Sequence, residues 1–387
     1  MDKNKRLTVW LPVIIAASIA LGIFIGNHYL SISQGKKQSY SSGNKINAIL
    51  DIIDEQYVDT VSMSKLVEST IPKIFSELDP HSVYIPAEDA SVVNEELEGS
   101  FSGIGVSFNM QTDTILVISV ISGGPAEKAG LLPFDRIISI NDSIFSGKKK
   151  NQGEIMKTLR GAKNSTVKLG VQRGNSPELL YFDVTRGDVP VNSVDVSYEA
   201  AKGIGYIKVS KFARNTYNEF ITAIAKLKQV GCTSFVIDLR GNTGGYMDAA
   251  INMINEFMPE GRLIVYTEGK SFPRSDVYAN GTGTCKDAPI VVLTDEISAS
   301  ASEIFSGAIQ DNDRGTIIGR RTYGKGLVQT QMSLSDGSEM RLTIARYYTP
   351  SGRCIQKKYE MGNTDAYDQD IYNLSLIHIS EPTRQAE

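Results

Sequence analysis

Three short stretches carry residues whose types and spacing could do chemistry. "SASASE", residues 298–303, alternates serine with alanine directly after an apolar run. A serine at a helix N-terminus has the helix dipole and exposed N–H groups beside it, but as a nucleophile it still needs a base. "GRRTYGKGLVQ", residues 319–329, offers Lys325 among the uncharged Gly324, Gly326, Leu327 and Val328. An ordinary lysine titrates near 10.4, so a neutral base near pH 7 needs a shift of roughly three units, about 4–5 kcal/mol. Desolvation or a neighbouring cation can supply that shift. "SFVIDLRGNTGGYMDAA", residues 234–250, predicts a buried strand, a glycine-rich turn and a helix. Such a turn turns backbone N–H groups toward a phosphate or a developing oxyanion. Asp238 and Arg240 in it read as a pair that braces the turn.

Composition narrows the choice of base. The chain of 387 residues has three histidines: His28 flanks the first apolar segment, His378 lies in the tail, and His81 sits in "LDPHSVYIP". A Ser-His-Asp mechanism therefore has one candidate base, and His81 reads as a structural hydrogen-bonding residue. Cys232, Cys285 and Cys354 form no CxxC or Cys/His grouping, so no metal site is expected. GRRTYGK fits the start of a phosphate-binding loop, but its eighth position is Gly326 and a strand pattern follows, which excludes nucleotide binding. S-x-x-K at Ser62–Lys65 and Ser146–Lys149 lacks the companion K-T-G and S-D-N motifs, and no G-x-S-x-G elbow is present. A formal net charge of -4 gives no hint of nucleic-acid binding, and "GKKK" at 147–150 reads as a solvated loop. A Ser-Lys pair is what remains. Spacing alone does not choose among Ser298, Ser300 and Ser302, and Ser298 can equally be the N-cap of "ASEIFSGAIQD" with Glu303 in its first turn.

The elements that must position these residues follow from texture along the chain. The basic flank 1–6 precedes twenty uncharged residues, 7–26, long enough to cross a bilayer as an uncleaved transmembrane helix. Lys3, Lys5 and Arg6 place the rest on the far side of the membrane. A Ser/Gly/Lys-rich linker spans 27–43. Residues 44–97 predict a small helical subdomain from Ile49, Ile52, Ile53, Tyr57, Leu66, Val67, Ile71 and Ile74, closed by "LDPHSVYIP". Short β-type runs separated by Gly/Pro/Asn turns fill 98–187, with short helices at "GPAEKAGL" and "QGEIMKTLRG". Strands alternate with helices at 216–229, 246–258 and 300–311 through 188–373, which predicts an α/β domain. The fold class is therefore mixed α/β (α+β) and multidomain. "LSLIHISEPTR", 374–384, reads as the in-frame translation of a sequencing adapter. Residues 374–387 are set aside, and the α/β domain is read as C-terminally truncated.

"FSGIGVSF", 101–108, places Gly103 and Gly105 around Ile104, so that backbone N–H groups can share one concavity able to hold a carboxylate. The strand that follows can pair with an extended peptide. Its continuation, "GGPAEKAGLLPFDRIISIND", resembles the PDZ domain pattern. That resemblance implies capture of a free protein C-terminus at Gly103, Ile104, Gly105 and Val106, with Ile155, Met156 and Leu159 lining a pocket for apolar tails.

The order of the anchor, "LDPHSVYIP", the PDZ-like segment, "DLRGNTGG", "SASASEIFSGAIQD", "GKGLVQ" and "YYTPSGRCIQ" resembles the C-terminal processing peptidases, or tail-specific proteases, of serine peptidase class S41. The resemblance covers residues 46–358. It implies Ser300 as nucleophile, Lys325 as base, Gln329 as the residue orienting the lysine, and oxyanion donors at Ala301 and at Gly244 or Gly245. It implies an acyl-enzyme route without metal or cofactor, acting on unfolded or precursor proteins with apolar C-termini. Arg160, near the PDZ boundary, is a candidate for coupling the two domains. The resemblance further suggests a single-pass bacterial inner-membrane protein with its catalytic region in the periplasm, and it leaves room for a homodimer. The competing class is a catalytically silent PDZ adaptor. Ser300, Lys325 and Gln329, all present at the family's positions, argue against silence.

Overall fold

The computed structural model describes residues 16–22, 42–111, 114–145, 152–363 and 367. Residues 16–22 of the expected membrane helix are helical, and the rest of that stretch lies outside the described residues, as do the basic loop 147–150 and the tail 374–387. Among the described residues no helix is long and apolar enough to cross a membrane. The chain divides into two compact units, 1–69 and 70–387.

The first unit holds helix α1 (Ser42–Gln56) and the start of α2 (Met63–Ser76). The second begins with strand β1 (Val83–Ile85), helix α3 (Ala87–Glu98) and β2 (Ser100–Gly103). The stretch read as a helical subdomain, 44–97, holds one strand among its helices. "VYI" is a strand that pairs antiparallel with a distant one, Tyr84 opposite Met340. Pro80 and Pro86 interrupt any helix around it, and the β-branched and aromatic side chains suit a sheet. Helix α3 then ends where Gly99 takes a left-handed conformation (φ 75).

A six-stranded antiparallel sheet follows: β3 (Val106–Gln111), β4 (Thr114–Val120), β5 (Arg136–Ile140), β6 (Ser143–Ile144), β7 (Thr166–Gln172) and β8 (Leu180–Thr185). Its order is β3-β4-β5-β7-β8, with β6 off β5, so β3 is an edge among the described residues. Helices α4 (Pro125–Ala129) and α5 (Gln152–Leu159) complete this layer. Alternating apolar residues put Ile115, Val117, Ile137, Val167, Leu169, Val171 and Val184 in its core. Strand β9 (Gly187–Pro190) pairs with β2 and closes the segment where it began.

The remaining chain builds two sheets. Strands β10 (Val194–Ala201), β11 (Ile204–Val209), β12 (Ser234–Asp238), β15 (Ile290–Thr294) and β16 (Thr316–Gly319) form one, in that order. All neighbours from β11 onward are parallel. The other contains β13 (Leu263–Glu268), β14 (Ser275–Tyr278), β17 (Leu327–Ser333) and β18 (Glu339–Tyr348), together with β1. Helices α6 (Thr216–Gln229), α7 (Met247–Asn255) and α8 (Ala301–Asp311) bury their apolar faces in a core centred on Phe212, Phe220, Phe235, Phe257 and Phe305. Crossover connections put the turn after β12 and the N-terminus of α8 at the same carboxyl end of the parallel strands, where open α/β sheets place their sites.

Candidate active site

The three serines of SASASE have different surroundings. Ser298 is fully buried, and its hydroxyl donates to Leu239 O (2.8 Å) at the end of β12. Ser302 is equally buried, and its hydroxyl donates to Asn242 O (3.0 Å) in the glycine turn. Both therefore fasten α8 to that turn. Ser300 lies between them, half-buried, and it is the N-cap of α8, not Ser298. The helix begins two residues later than a Ser298 cap requires, and the Ser298 hydroxyl instead accepts the Asp295 N–H (3.0 Å) in the preceding turn. The Ser300 backbone sits at φ 54, ψ -112, where a non-glycine residue is strained by about 1–3 kcal/mol. Such strain persists only where surrounding contacts fix the residue, as Ser298 and Ser302 do here.

The glycine turn approaches this serine closely. A Cβ on Gly244 would stand 2.8 Å from Ala299 O, 2.8 Å from Ser300 Cβ and 3.1 Å from Ala301 N, and the residue has φ +104. Only glycine fits there. Gly245 (φ +139) is pressed against Phe212 O, and Phe212 N–H donates to Gly244 O (2.9 Å). The Gly244 N–H is itself donated to Asn242 Oδ1 (2.8 Å). Asp238, fully buried, anchors the turn's entry: it accepts from Arg240 Nη2 (2.6 Å) and from Tyr206 Oη (2.6 Å).

One buried carboxylate joins the serine to the lysine loop. Glu303 Oε2 accepts the backbone N–H of Ser300 (2.8 Å) and that of Lys325 (2.8 Å). Its Oε1 accepts Gly324 N–H (2.7 Å) and the Thr322 hydroxyl (2.7 Å). Burial pushes the Glu303 carboxyl up, and the four donated hydrogen bonds oppose that shift. Backbone N–H groups can only donate, so they bind the ionised form. Lys325 is half-buried, and its ammonium is held below the ordinary lysine range, first by desolvation and then by the charge of Arg341. Asp79 and Glu303 act in the opposite direction.

Gln329 sits on β17, and its amide donates to the backbone carbonyl of His81. His81 is turned inward. Its backbone N–H donates to Asp79 Oδ1 (3.0 Å), and its Nε2 lies 3.0 Å from the Tyr367 hydroxyl. Burial, with the nearby Lys325 charge, pushes its imidazole down to about 4, so it is neutral at pH 7. Sequence reasoning gave Glu303 no more than a place in the first turn and missed the grouping of Asp79 and Tyr367 on His81, whose carbonyl holds Gln329. A glutamate three residues after the serine, as in a capping box, was the available signal for the first.

On the β3 side, Gly103 ends β2, and Ile104 is buried in the core with its carbonyl accepting Ala126 N–H (2.7 Å). Gly105 adopts φ 76, and Val106 opens edge strand β3. Ile155 and Leu159 face the core, while Met156 is the exposed member of that trio. Arg160 leaves the end of α5, stacks over the Phe101 ring (4.4 Å) and reaches Glu95 on α3 (3.6 Å). Glu98, one turn further along α3, accepts from Arg214 (2.7 Å) and from the hydroxyl of Tyr246 (3.0 Å), the residue after Gly245.

A serine on a helix N-terminus, facing a glycine turn and sharing an acceptor with a partly desolvated lysine, suits acyl transfer. The profile of peptidase family S41 matches residues 203–365, that of the PDZ domain 102–195, and that of the activating protease CtpB N-terminal domain 26–89. The carboxy-terminal processing protease CtpB of Bacillus subtilis (strain 168) is 32% identical over 355 residues, covering 91% of this chain and 73% of that one. A CtpA-like serine protease of Staphylococcus aureus (strain N315) is 33% identical over 365 residues, covering 92% and 72%. Among solved structures, the photosystem II D1 C-terminal processing protease aligns with a TM-score of 0.46 at 28% identity, over 82% of this chain and 91% of that one. The chain belongs to peptidase family S41, as a C-terminal processing serine protease that carries a PDZ domain.

Proposed function

We propose that this chain hydrolyses peptide bonds in proteins whose apolar C-termini it captures, using Ser300 as nucleophile and Lys325 as base. The observation that carries this reading is the Glu303 carboxylate, which binds the backbones of both residues through one oxygen. Neutral Lys325 removes the proton from Ser300 Oγ as that oxygen attacks the scissile carbonyl, and it later gives the proton to the leaving amine. Water then cleaves the acyl-enzyme. Ala301 N–H and a glycine-turn N–H hold the oxyanion. Gly245 is the better placed glycine, since the Gly244 N–H is already donated to Asn242. The Gln329 amide nitrogen is engaged by His81, which leaves its oxygen as the end that accepts from the lysine.

The substrate's free carboxylate enters the loop Gly103–Val106, and its backbone adds a strand to β3. Arg160 carries the state of this groove to the protease through Glu95, on the helix whose Glu98 holds Tyr246 beside the oxyanion turn. The uncharged run 7–26 and its basic flank support a single-pass inner-membrane anchor with the catalytic region in the periplasm. The test compares wild type, Ser300→Ala and Lys325→Ala on an unstructured protein ending in apolar residues. Each variant is expected to lose about a thousandfold or more in kcat/KM. Unchanged cleavage by both overturns the Ser-Lys reading.

A further inference from the structure

Tyr367 lies beyond every motif considered above, yet it is 4% exposed and its hydroxyl is buried in polar contacts. That hydroxyl lies 3.0 Å from His81 Nε2 and accepts from Gln356 Nε2 (3.3 Å). Both contacts lead to the lysine. The carbonyl of His81 takes the Gln329 amide, and Gln356 Oε1 takes the N–H of Gly326 (2.9 Å), the residue after Lys325. On the other side of the lysine, Lys357 donates its backbone N–H to Gly324 O (2.9 Å), and its ammonium lies 3.8 Å from the Tyr367 ring centroid and 2.9 Å from Tyr367 O. The ring of Tyr367 also meets the rings of His81 (5.3 Å, edge-on) and Tyr323 (6.1 Å). One residue thus touches His81, Gln356 and Lys357, three of the residues that support the lysine loop.

We propose that Tyr367 is a positioning residue for the reaction: it pins the His81 loop and the Gln356–Lys357 stretch around Lys325 and keeps water from the base. This rests on the Ser-Lys reading. Packing alone would be served as well by phenylalanine, whereas the buried hydroxyl joins two groups whose other ends hold the lysine loop. The charged groups acting on Lys325 come from three places: Asp79 ahead of β1, Glu303 on α8 and Arg341 on β18, while Lys325 and Lys357 in turn depress the His81 imidazole. Since desolvation is the largest influence depressing the lysine, opening this side to water raises its pKa.

The experiment uses the full chain and a fluorophosphonate probe, which labels the nucleophilic serine at a rate that follows the deprotonated fraction of its base. Labelling is followed from pH 5 to 10 for wild type, Tyr367→Phe, Tyr367→Ala and Lys325→Ala, with thermal melting of each. Tyr367→Ala is expected to move the midpoint alkaline by about one unit, slowing labelling about tenfold below it. Tyr367→Phe keeps the ring and is expected to slow labelling about threefold in the same direction. A purely structural tyrosine lowers Tm and leaves the midpoint where it was. That result in both variants, or in Tyr367→Phe alone should the alanine variant not fold, overturns the proposal. If Lys325→Ala labels with the wild-type profile, the Ser-Lys reading fails instead, whatever Tyr367 does.

Discussion

Ser300 takes its position from its flanking serines and one facing turn, whereas Lys325 takes its position and its chemistry from residues scattered along the chain. On the serine side, Ser298 and Ser302 lock the backbone to Leu239 O and Asn242 O, and Gly244 packs against Ser300. On the lysine side, Asp79, His81, Glu303, Arg341, Gln356 and Tyr367 surround or support one loop. A nucleophile needs mainly a direction, and a helix N-terminus next to a glycine turn supplies one locally. A neutral lysine needs a dry, electrostatically tuned space, which one segment of chain cannot enclose. Glu303 is the point where the two sides meet.

Five substitutions break or sharpen this contrast. The largest effect is expected at the serines themselves. Ser300→Ala is expected to abolish turnover at a cost of about 1 kcal/mol from the lost cap, while Ser302→Ala is expected to leave a working enzyme destabilised by about 1–3 kcal/mol, because Ser302 has a buried structural bond. Urea unfolding beside kcat/KM separates the two, and equal activity loss at both positions would erase the distinction. Next, Gly244→Ala brings a methyl within 2.8 Å of Ala299 O and Ser300 Cβ, and a loss of about a hundredfold in kcat is expected with folding preserved by circular dichroism.

Glu303→Gln touches both sides at once. An amide NH2 group in place of either oxygen faces N–H donors, so a stability loss of about 3 kcal/mol and at least a tenfold drop in kcat are expected together. A drop in kcat alone would mean that the carboxylate does not fasten the two backbones. The smallest effect belongs to His81. Its folded-state pKa of about 4 lies below its ordinary 6.5, so its contribution to stability is full above pH 6.5 and fades as pH falls from 6.5 to 4. His81→Gln is expected to remove about 2–3 kcal/mol of that acid-dependent loss, read by urea unfolding at pH 7 and pH 4.5. An unchanged pH dependence would place His81 in water.

The sequence made the serine side legible and left much of the lysine side hidden, for the same physical reason. The strand–turn–helix around Asp238–Gly245 and the helix at 301–311 are local patterns with strong periodicity and turn chemistry, and the structure has them at 234–238, 247–255 and 301–311. The strand at 83–85 was not legible, because its partner is β18 and three residues carry no period. The burial of His81 and the arrival of Tyr367 beside it are tertiary events, invisible to spacing. Spacing likewise did not choose among Ser298, Ser300 and Ser302; the family resemblance implied Ser300, and in the structure the hydroxyls and backbones of the three serines have different fates.

The most direct test of the central claim is the pH dependence of kcat/KM for cleavage of an unstructured protein with an apolar C-terminus, measured from pH 5 to 10 for wild type and Lys325→Ala. A lysine held below its ordinary range predicts that wild-type activity climbs with pH through a midpoint under 10.4 and that the variant loses both the activity and the climb. A flat wild-type profile, or a Lys325→Ala variant that keeps the wild-type curve, would contradict it.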